Sequence, residues 1–170
     1  MDIKVLINEN EIQEKISLIA KRIQEDFKNE ELVFVIILKG SVFFSADLAK
    51  KIKNHVVMEF IQVSSYEGTQ SKGEISLKLD LNYNIAGKNV IIIEDIVDTG
   101  RTLTYLKNYL NTKKPKSLKI CTLLDKPERR EFELEADYVG FKIPNKFVVG
   151  YGLDYDEYYR NLPYIGYIEQ

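Results

Sequence analysis

Glu94, Asp95 and Asp98 stand directly behind an apolar run, Val90-Ile91-Ile92-Ile93, and directly ahead of Thr99-Gly100-Arg101-Thr102. Ionised carboxylates only accept hydrogen bonds, and a sugar diol supplies two donors. Successive backbone N–H groups at a helix start form an anion nest, and the helix dipole adds positive potential. Gly100 permits a tight turn with close backbone approach, while Thr99 and Thr102 add hydroxyl donors. Acceptors for hydroxyls beside a cradle for an anion suit a phosphorylated ribose. Plain helix capping would account for one of these residues but not for the set. The cradle is not a Gly-x-x-x-x-Gly-Lys-Ser/Thr loop, and Gly150-Tyr151-Gly152 lacks the third glycine of a dinucleotide fingerprint.

These groups need a scaffold, and the hydrophobic pattern supplies one. A continuous β-branched run suits a strand buried on both faces of a parallel sheet, and ligands of such sheets gather at the carboxyl ends of the strands. The acids are therefore expected beyond the end of a strand at Val90–Ile93. Ile12, Ile16, Ile19, Ala20, Ile23 and Phe27 recur at helical spacing. Leu32–Leu38 reads as a central strand, Lys39-Gly40-Ser41 as the turn after it, and Val42–Ile52 as a helix. Val56–Val63 reads as a strand and the polar stretch Ser64–Gly73 as a long mobile loop. Glu74–Leu79 would return as a strand, making a hairpin-like flap. Thr102 starts a helix with Leu103, Leu106 and Leu110 on one face, and Pro115 closes that region. Lys119–Leu124, Tyr138–Phe141 and Lys146–Val149 complete the strands. The alternation predicts an α/β fold with a mainly parallel central sheet flanked by helices.

A chain of 170 residues, 45% hydrophobic and 29% charged, is expected to form one globular domain spanning 1–170. A net charge of −2 gives no electrostatic case for nucleic acid, and no apolar run approaches the ~20 residues that span a bilayer. Cys121 has no intrachain partner, and Met1-Asp2-Ile3-Lys4 carries no secretory h-region, so a reducing, cytoplasmic location is expected. Cys121 reads as an inert core thiol, His55 as structural, and Glu128-Arg129-Arg130-Glu131 as a solvated face.

Val90–Leu103 resembles the phosphoribosyl-pyrophosphate loop of type I phosphoribosyltransferases. Further segments resemble the hypoxanthine-guanine phosphoribosyltransferase family in the same order. They are Leu38-Lys39-Gly40-Ser41, Ser65-Tyr66, Lys126, and Lys146-Phe147-Val148-Val149-Gly150-Tyr151-Gly152-Leu153-Asp154 continuing to Arg160. The Phe-Val-Val-Gly-Tyr-Gly-Leu-Asp segment points to the 6-oxopurine branch.

The resemblance implies a fold with a small hood, built from the N- and C-terminal segments, and a flexible loop at about 64–74. It implies Mg²⁺-dependent transfer of 5-phosphoribosyl from phosphoribosyl pyrophosphate to a 6-oxopurine, by a homodimer or homotetramer. Glu94 and Asp95 would hold the ribose hydroxyls, the former mostly through metal or water, and Asp98 would be the acid–base residue at purine N7. Thr99, Gly100, Arg101 and Thr102 would bind the 5′-phosphate. Lys39 and Gly40 would sit at the pyrophosphate, where the family often has a cis peptide, and Arg160 would contact it. Lys126 would meet the purine O6, Phe147 would stack on the base, and the Val148 backbone would read its edge. Asp154 would help hold Mg²⁺ with Glu94 and Asp95, beside the purine site. Ser65 and Tyr66 would lie on the loop that closes over the reaction.

Taken one at a time, each residue has a blander account: a β-to-α turn at Lys39-Gly40, a surface lysine at 126, a core phenylalanine at 147, a loop acid at 154. Order and context favour the functional set. The alternatives are the same transfer on another base, such as a xanthine-preferring enzyme or one acting on a pyrimidine, a nucleotide-sensing regulator on the same fold, and a receiver-like domain phosphorylated at Asp95.

Overall fold

A computed structural model describes residues 2–66 and 74–169. Its elements run β1 Ile3–Ile7, α1 Glu9–Asp26, β2 Leu32–Ile37, α2 Val42–Lys51, β3 Val56–Tyr66, β4 Glu74–Leu79, β5 Asn89–Val97, α3 Arg101–Asn111, β6 Ser117–Asp125, a 3₁₀ turn Pro127–Arg129, β7 Tyr138–Lys142, β8 Val148–Val149 and β9 Ile165–Ile168. Six strands form one sheet in the order β4-β3-β2-β5-β6-β7, parallel except for the antiparallel β3–β4 hairpin. The α/β class and the flanking helices are as the sequence predicts.

The period-two geometry of a strand explains the unbroken apolar runs. In β2, Leu32, Phe34 and Ile36 face a core built with α1 and α2, where Ile12, Ile16, Ile19, Ile23, Phe44 and Leu48 pack. Val33, Val35 and Ile37 face the other side with Leu103, Leu106 and Leu110 of α3. β5 divides the same way, Ile91 and Ile93 to the first core, Val90 and Ile92 to the second. Cys121 lies in the first core, fully buried, and burial pushes its thiol pKa up.

Chain direction sets the site. From β2 the chain crosses through α2 to β3; from β5 it crosses through α3 to β6, over the opposite face. β2 and β5 are neighbours, so the two crossovers leave a crevice between their carboxyl ends, where α/β sheets bind ligands.

β3, β5 and β8 differ from expectation where it bears on the site. β3 extends through Ser64 to Tyr66, with Ser64 opposite Ser76 and their hydroxyls 3.0 Å apart, so the Ser64 end of the predicted loop is strand. The rest of that loop, 67–73, and the side chains of Ser65 and Tyr66 lie outside the described residues. β5 runs to Val97 because β6 keeps pairing with it as far as Val97↔Asp125. Lys146 and Phe147 precede β8, Lys146 N donating to Pro144 O in a turn at 2.7 Å.

The first and last strands have no counterpart in the sequence reading. β1 pairs antiparallel with β9, and β9 with β8, making a separate three-stranded sheet. Among the described residues no helix is long and apolar enough to cross a membrane.

Candidate active site

The β2–β5 ladder ends at Ile36↔Ile93, whereas β5 remains paired to β6 beyond it. The stretch 94–97 is thus strand on one side and open crevice on the other. The acids expected past the strand end lie instead on this overhang, held by β6. Glu94 is buried; its Oε1 accepts from Asp95 N at 3.0 Å and from Ser41 Oγ at 3.4 Å. Asp95 Oδ1 accepts from Ile96 N at 2.7 Å. Burial, with the two carboxyls side by side, holds this pair above the ordinary carboxylate range.

The turn after β2 presses onto these acids. The Leu38–Lys39 peptide is cis, as the resemblance implies. A Cβ on Gly40 would lie 1.8 Å from Asp95 Oδ2, and one on Gly152 would lie 2.0 Å from Gly40 O. Three chain segments therefore meet in direct contact at a glycine backbone: the end of β2, the overhang of β5, and the segment 150–162. Gly152 has no site role in the sequence reading; its φ of +100° and this contact give it a packing role.

The cradle follows. Gly100, at φ +88°, is the residue that caps α3 and brings no side-chain acceptor of its own, and Asp98 makes no described hydrogen bond to the helix amides. Thr99 Oγ1 accepts from Arg101 N at 3.3 Å. A cavity of about 80 Å³ lies over the loop, lined by Glu94, Asp98, Thr99, Gly100, Arg101 and Thr102 among others. The loop carbonyls are engaged by the segment after β6. Val97 O accepts from Lys126 N at 2.9 Å, Asp98 O from Arg130 Nη1 at 2.8 Å, and Thr99 O from Glu131 N at 2.9 Å.

That bracing corrects the expected solvated face at 128–131. Arg130 is largely buried: Nη2 donates to the buried Asp125 at 2.7 Å and Nε to Leu134 O at 3.0 Å. Arg129 Nε donates to Asp98 Oδ1 at 2.9 Å. Neighbouring charges in a sequence look alike; only the partner each meets separates a solvated arginine from a bracing one. Removing one partner of a buried pair leaves the other uncompensated. Arg130→Leu should therefore cost roughly 3–5 kcal/mol of unfolding free energy, read from denaturant midpoints. A loss below about 1 kcal/mol, the size of a surface pair, would contradict the bracing role.

A larger cavity of about 620 Å³ opens beside the cradle, lined by Asp98, Lys126, Arg129, Phe147 and five further residues. Lys126 is 8% exposed, and burial pushes its pKa down while the Asp98 charge opposes that shift. Phe147 is half-exposed and meets Tyr155 edge to face at 5.6 Å between ring centres. Val148 is buried in β8. Asp98 is the predicted site residue that lines both cavities.

Arg160 Nη1 donates to Gly152 O at 2.7 Å, and Nη2 lies 3.4 Å from Asp154. Its Nε is buried without a hydrogen-bond partner among the described residues. Asp154 Oδ2 accepts from Glu157 N at 2.9 Å. Among the described residues no three His, Cys, Asp or Glu side chains cluster closely enough to hold a metal, so Asp154 does not join Glu94 and Asp95 as a three-carboxylate site. Mg²⁺ characteristically takes one or two carboxylates and completes its shell with waters and substrate oxygens. The Glu94/Asp95 pair, with Glu94 buried and Asp95 partly so, fits that pattern. Asp125, Arg129, Arg130, Gly152 and Glu157 are the site residues that sequence reading missed.

Residues 4–156 match the family model described as "Phosphoribosyl transferase domain". The hypoxanthine-guanine phosphoribosyltransferase of Staphylococcus epidermidis is 54% identical over 163 residues, 95% of this chain and 91% of that protein. The bifunctional protein TilS/HprT of Listeria monocytogenes is 50% identical over 167 residues, but the chain spans only 26% of its length. A crystal structure of a hypoxanthine-guanine phosphoribosyltransferase from Bacillus anthracis, with HEPES in the active site, superposes with a TM-score of 0.95 at 52% identity, covering 99% of this chain and all of that one. The hypoxanthine phosphoribosyltransferase of Trypanosoma cruzi, in complex with the product IMP, gives a TM-score of 0.92 at 46% identity, covering 98% of this chain and 94% of that one. With an acid overhang, an amide cradle and a lysine–phenylalanine cavity around one aspartate, and with the Staphylococcus epidermidis and Bacillus anthracis proteins matched over 91% and all of their lengths, this chain belongs to the hypoxanthine-guanine phosphoribosyltransferase family.

Proposed function

We propose that the protein is a purine salvage enzyme. It transfers 5-phosphoribosyl from phosphoribosyl pyrophosphate to N9 of hypoxanthine or guanine, giving IMP or GMP and pyrophosphate. The observation that carries this reading is the position of Asp98, between a phosphate-sized cradle at a helix start and a base-sized cavity containing Lys126 and Phe147.

The amides and hydroxyls of Thr99–Thr102 hold the 5′-phosphate against the helix dipole. Glu94 and Asp95 accept from the ribose hydroxyls, and the braced carbonyls of Val97, Asp98 and Thr99 keep the loop in one shape. Lys39, Gly40 and Arg160 line the place of the pyrophosphate. The purine stacks on Phe147 with its edge at the Val148 backbone and its O6 at Lys126. As the bond from the anomeric carbon to pyrophosphate breaks, N9 bonds to that carbon, and Asp98 takes the proton leaving N7. The anomeric carbon acquires oxocarbenium character in between, as in glycoside hydrolysis. Mg²⁺, held by Glu94 and Asp95, would supply charge neutralisation for the leaving pyrophosphate. Ser65 and Tyr66, at the end of β3, would help exclude water from the reaction.

The large apolar side chains left exposed at Val42, Phe43, Met58 and Phe60 support a homodimer or homotetramer, which sedimentation of the purified protein checks. A cytoplasmic setting, expected of a lone reduced thiol, belongs to the same proposal.

A spectrophotometric screen with donor, Mg²⁺ and each free base tests the reading. Hypoxanthine and guanine should turn over. Adenine should react at least about 10²-fold less efficiently, because its 6-amino group presents donors to Lys126 where an oxo group accepts. AMP formation matching IMP formation would remove Lys126 from its role, and no turnover with any base would sink the proposal.

A further inference from the structure

Lys39 and Arg160 come from different segments, and one carboxylate joins them. Glu157 Oε2 accepts from Lys39 Nζ at 2.9 Å, and Glu157 Oε1 lies 3.3 Å from Arg160 Nη2. Glu157 sits on a turn that closes on itself, Tyr155 N to Tyr158 O and back at 3.0 Å each. Asp156, Glu157 and Tyr159 all take left-handed backbone angles, φ +52°, +70° and +76°. Such angles are uncommon away from glycine, so the turn holds the carboxylate at the rim by its backbone, not by packing. The side chain itself is 65% exposed.

Resting on the reading that pyrophosphate lies between Lys39 and Arg160, we propose that Glu157 is an internal stand-in for it. Glu157 neutralises the two cations while the subsite is free and is displaced when the donor binds. Pyrophosphate carries more charge and more acceptor oxygens than one carboxylate, so it wins the exchange. It must nevertheless break two existing ion pairs to bind, and Glu157 re-forms them as it leaves. The carboxylate thereby loosens the hold on the product without touching the reacting atoms, which makes it a positioning residue.

Isothermal titration of pyrophosphate into wild type and Glu157→Gln tests this, alongside product inhibition of IMP formation. The variant should bind pyrophosphate roughly 2- to 5-fold tighter, the size expected of exposed ion pairs. Its inhibition constant should fall in the same ratio, and the gap should narrow as salt is raised. Glu25→Gln, which removes the same charge from an exposed position on α1, should leave the affinity unchanged. Equal or weaker binding by Glu157→Gln, or an equal gain in Glu25→Gln, overturns the inference. If wild type forms IMP while Glu157→Gln shows no gain, only the inference fails; a wild type that neither forms nucleotide nor binds pyrophosphate defeats the underlying reading as well.

Discussion

Asp98→Asn and Asp98→Ala should each lower kcat with hypoxanthine about 10²–10⁴-fold at saturating donor, the usual loss for one general acid–base group. The fold should barely register the change. The Asp98 side chain is 44% exposed, and its one described ion pair, to Arg129, is 48% exposed on the arginine side. Pairs of this kind contribute about 0–1 kcal/mol once solvent screening is allowed for. The loop is held instead through the Asp98 backbone carbonyl, which either variant keeps. Activity and stability therefore separate: a large kinetic loss beside a melting temperature within a few degrees of wild type. Arg129 also makes Asn the informative replacement, because an amide oxygen can still accept from Nε while the proton-accepting charge is gone. Turnover of Asp98→Asn within about twofold of wild type would take the proton transfer away from this residue.

The second large effect belongs to the glycine contact. Gly152→Ala and Gly40→Ala should fail in different ways. At Gly152 the new methyl would meet the Gly40 carbonyl oxygen at 2.0 Å, backbone against backbone, at a φ of +100°. Neither atom can swing aside. Left-handed strain of about 1–2 kcal/mol and overpacking of about 1–3 kcal/mol add to roughly 2–5 kcal/mol. That corresponds to roughly 5–20 °C in melting temperature for a chain of this size. At Gly40 the nearest atom is the end of a side chain, Asp95 Oδ2 at 1.8 Å, which can rotate away. Gly40→Ala should therefore remain nearly as stable as wild type yet lose about 10²-fold in kcat/KM for the donor, because Asp95 is moved off its position. Differential scanning calorimetry and donor kinetics on the two variants read both effects. Equal destabilisation of the two, or a Gly40→Ala variant with unimpaired donor kinetics, would refute the assignment of this contact.

The elements were legible because their patterns are local. Apolar spacing marked α1 and α3, and the unbroken runs of β2, β5 and β6 announced strands covered on both faces. The acid–cradle order from Glu94 to Thr102 was legible for the same reason: one strand end and one helix start carry it. By contrast, β1 and β9 escaped notice because each is short and meets the other across nearly the whole chain.

The sequence by itself determined an α/β sheet, the apolar strand that carries the acids, and the acid–cradle order from Glu94 to Thr102. Tertiary structure alone decided how far β5 outruns β2, since that depends on where its neighbour stops pairing. It decided that Arg130 braces the loop while its sequence neighbours stay at the surface. It decided that Gly152 must lack a side chain, because the atom it would strike belongs to a residue more than a hundred positions away. The reason is common to all three. Periodicity encodes which face of an element is buried, but not which distant group arrives against it, and burial, charge pairing and close backbone contact are properties of that arrival.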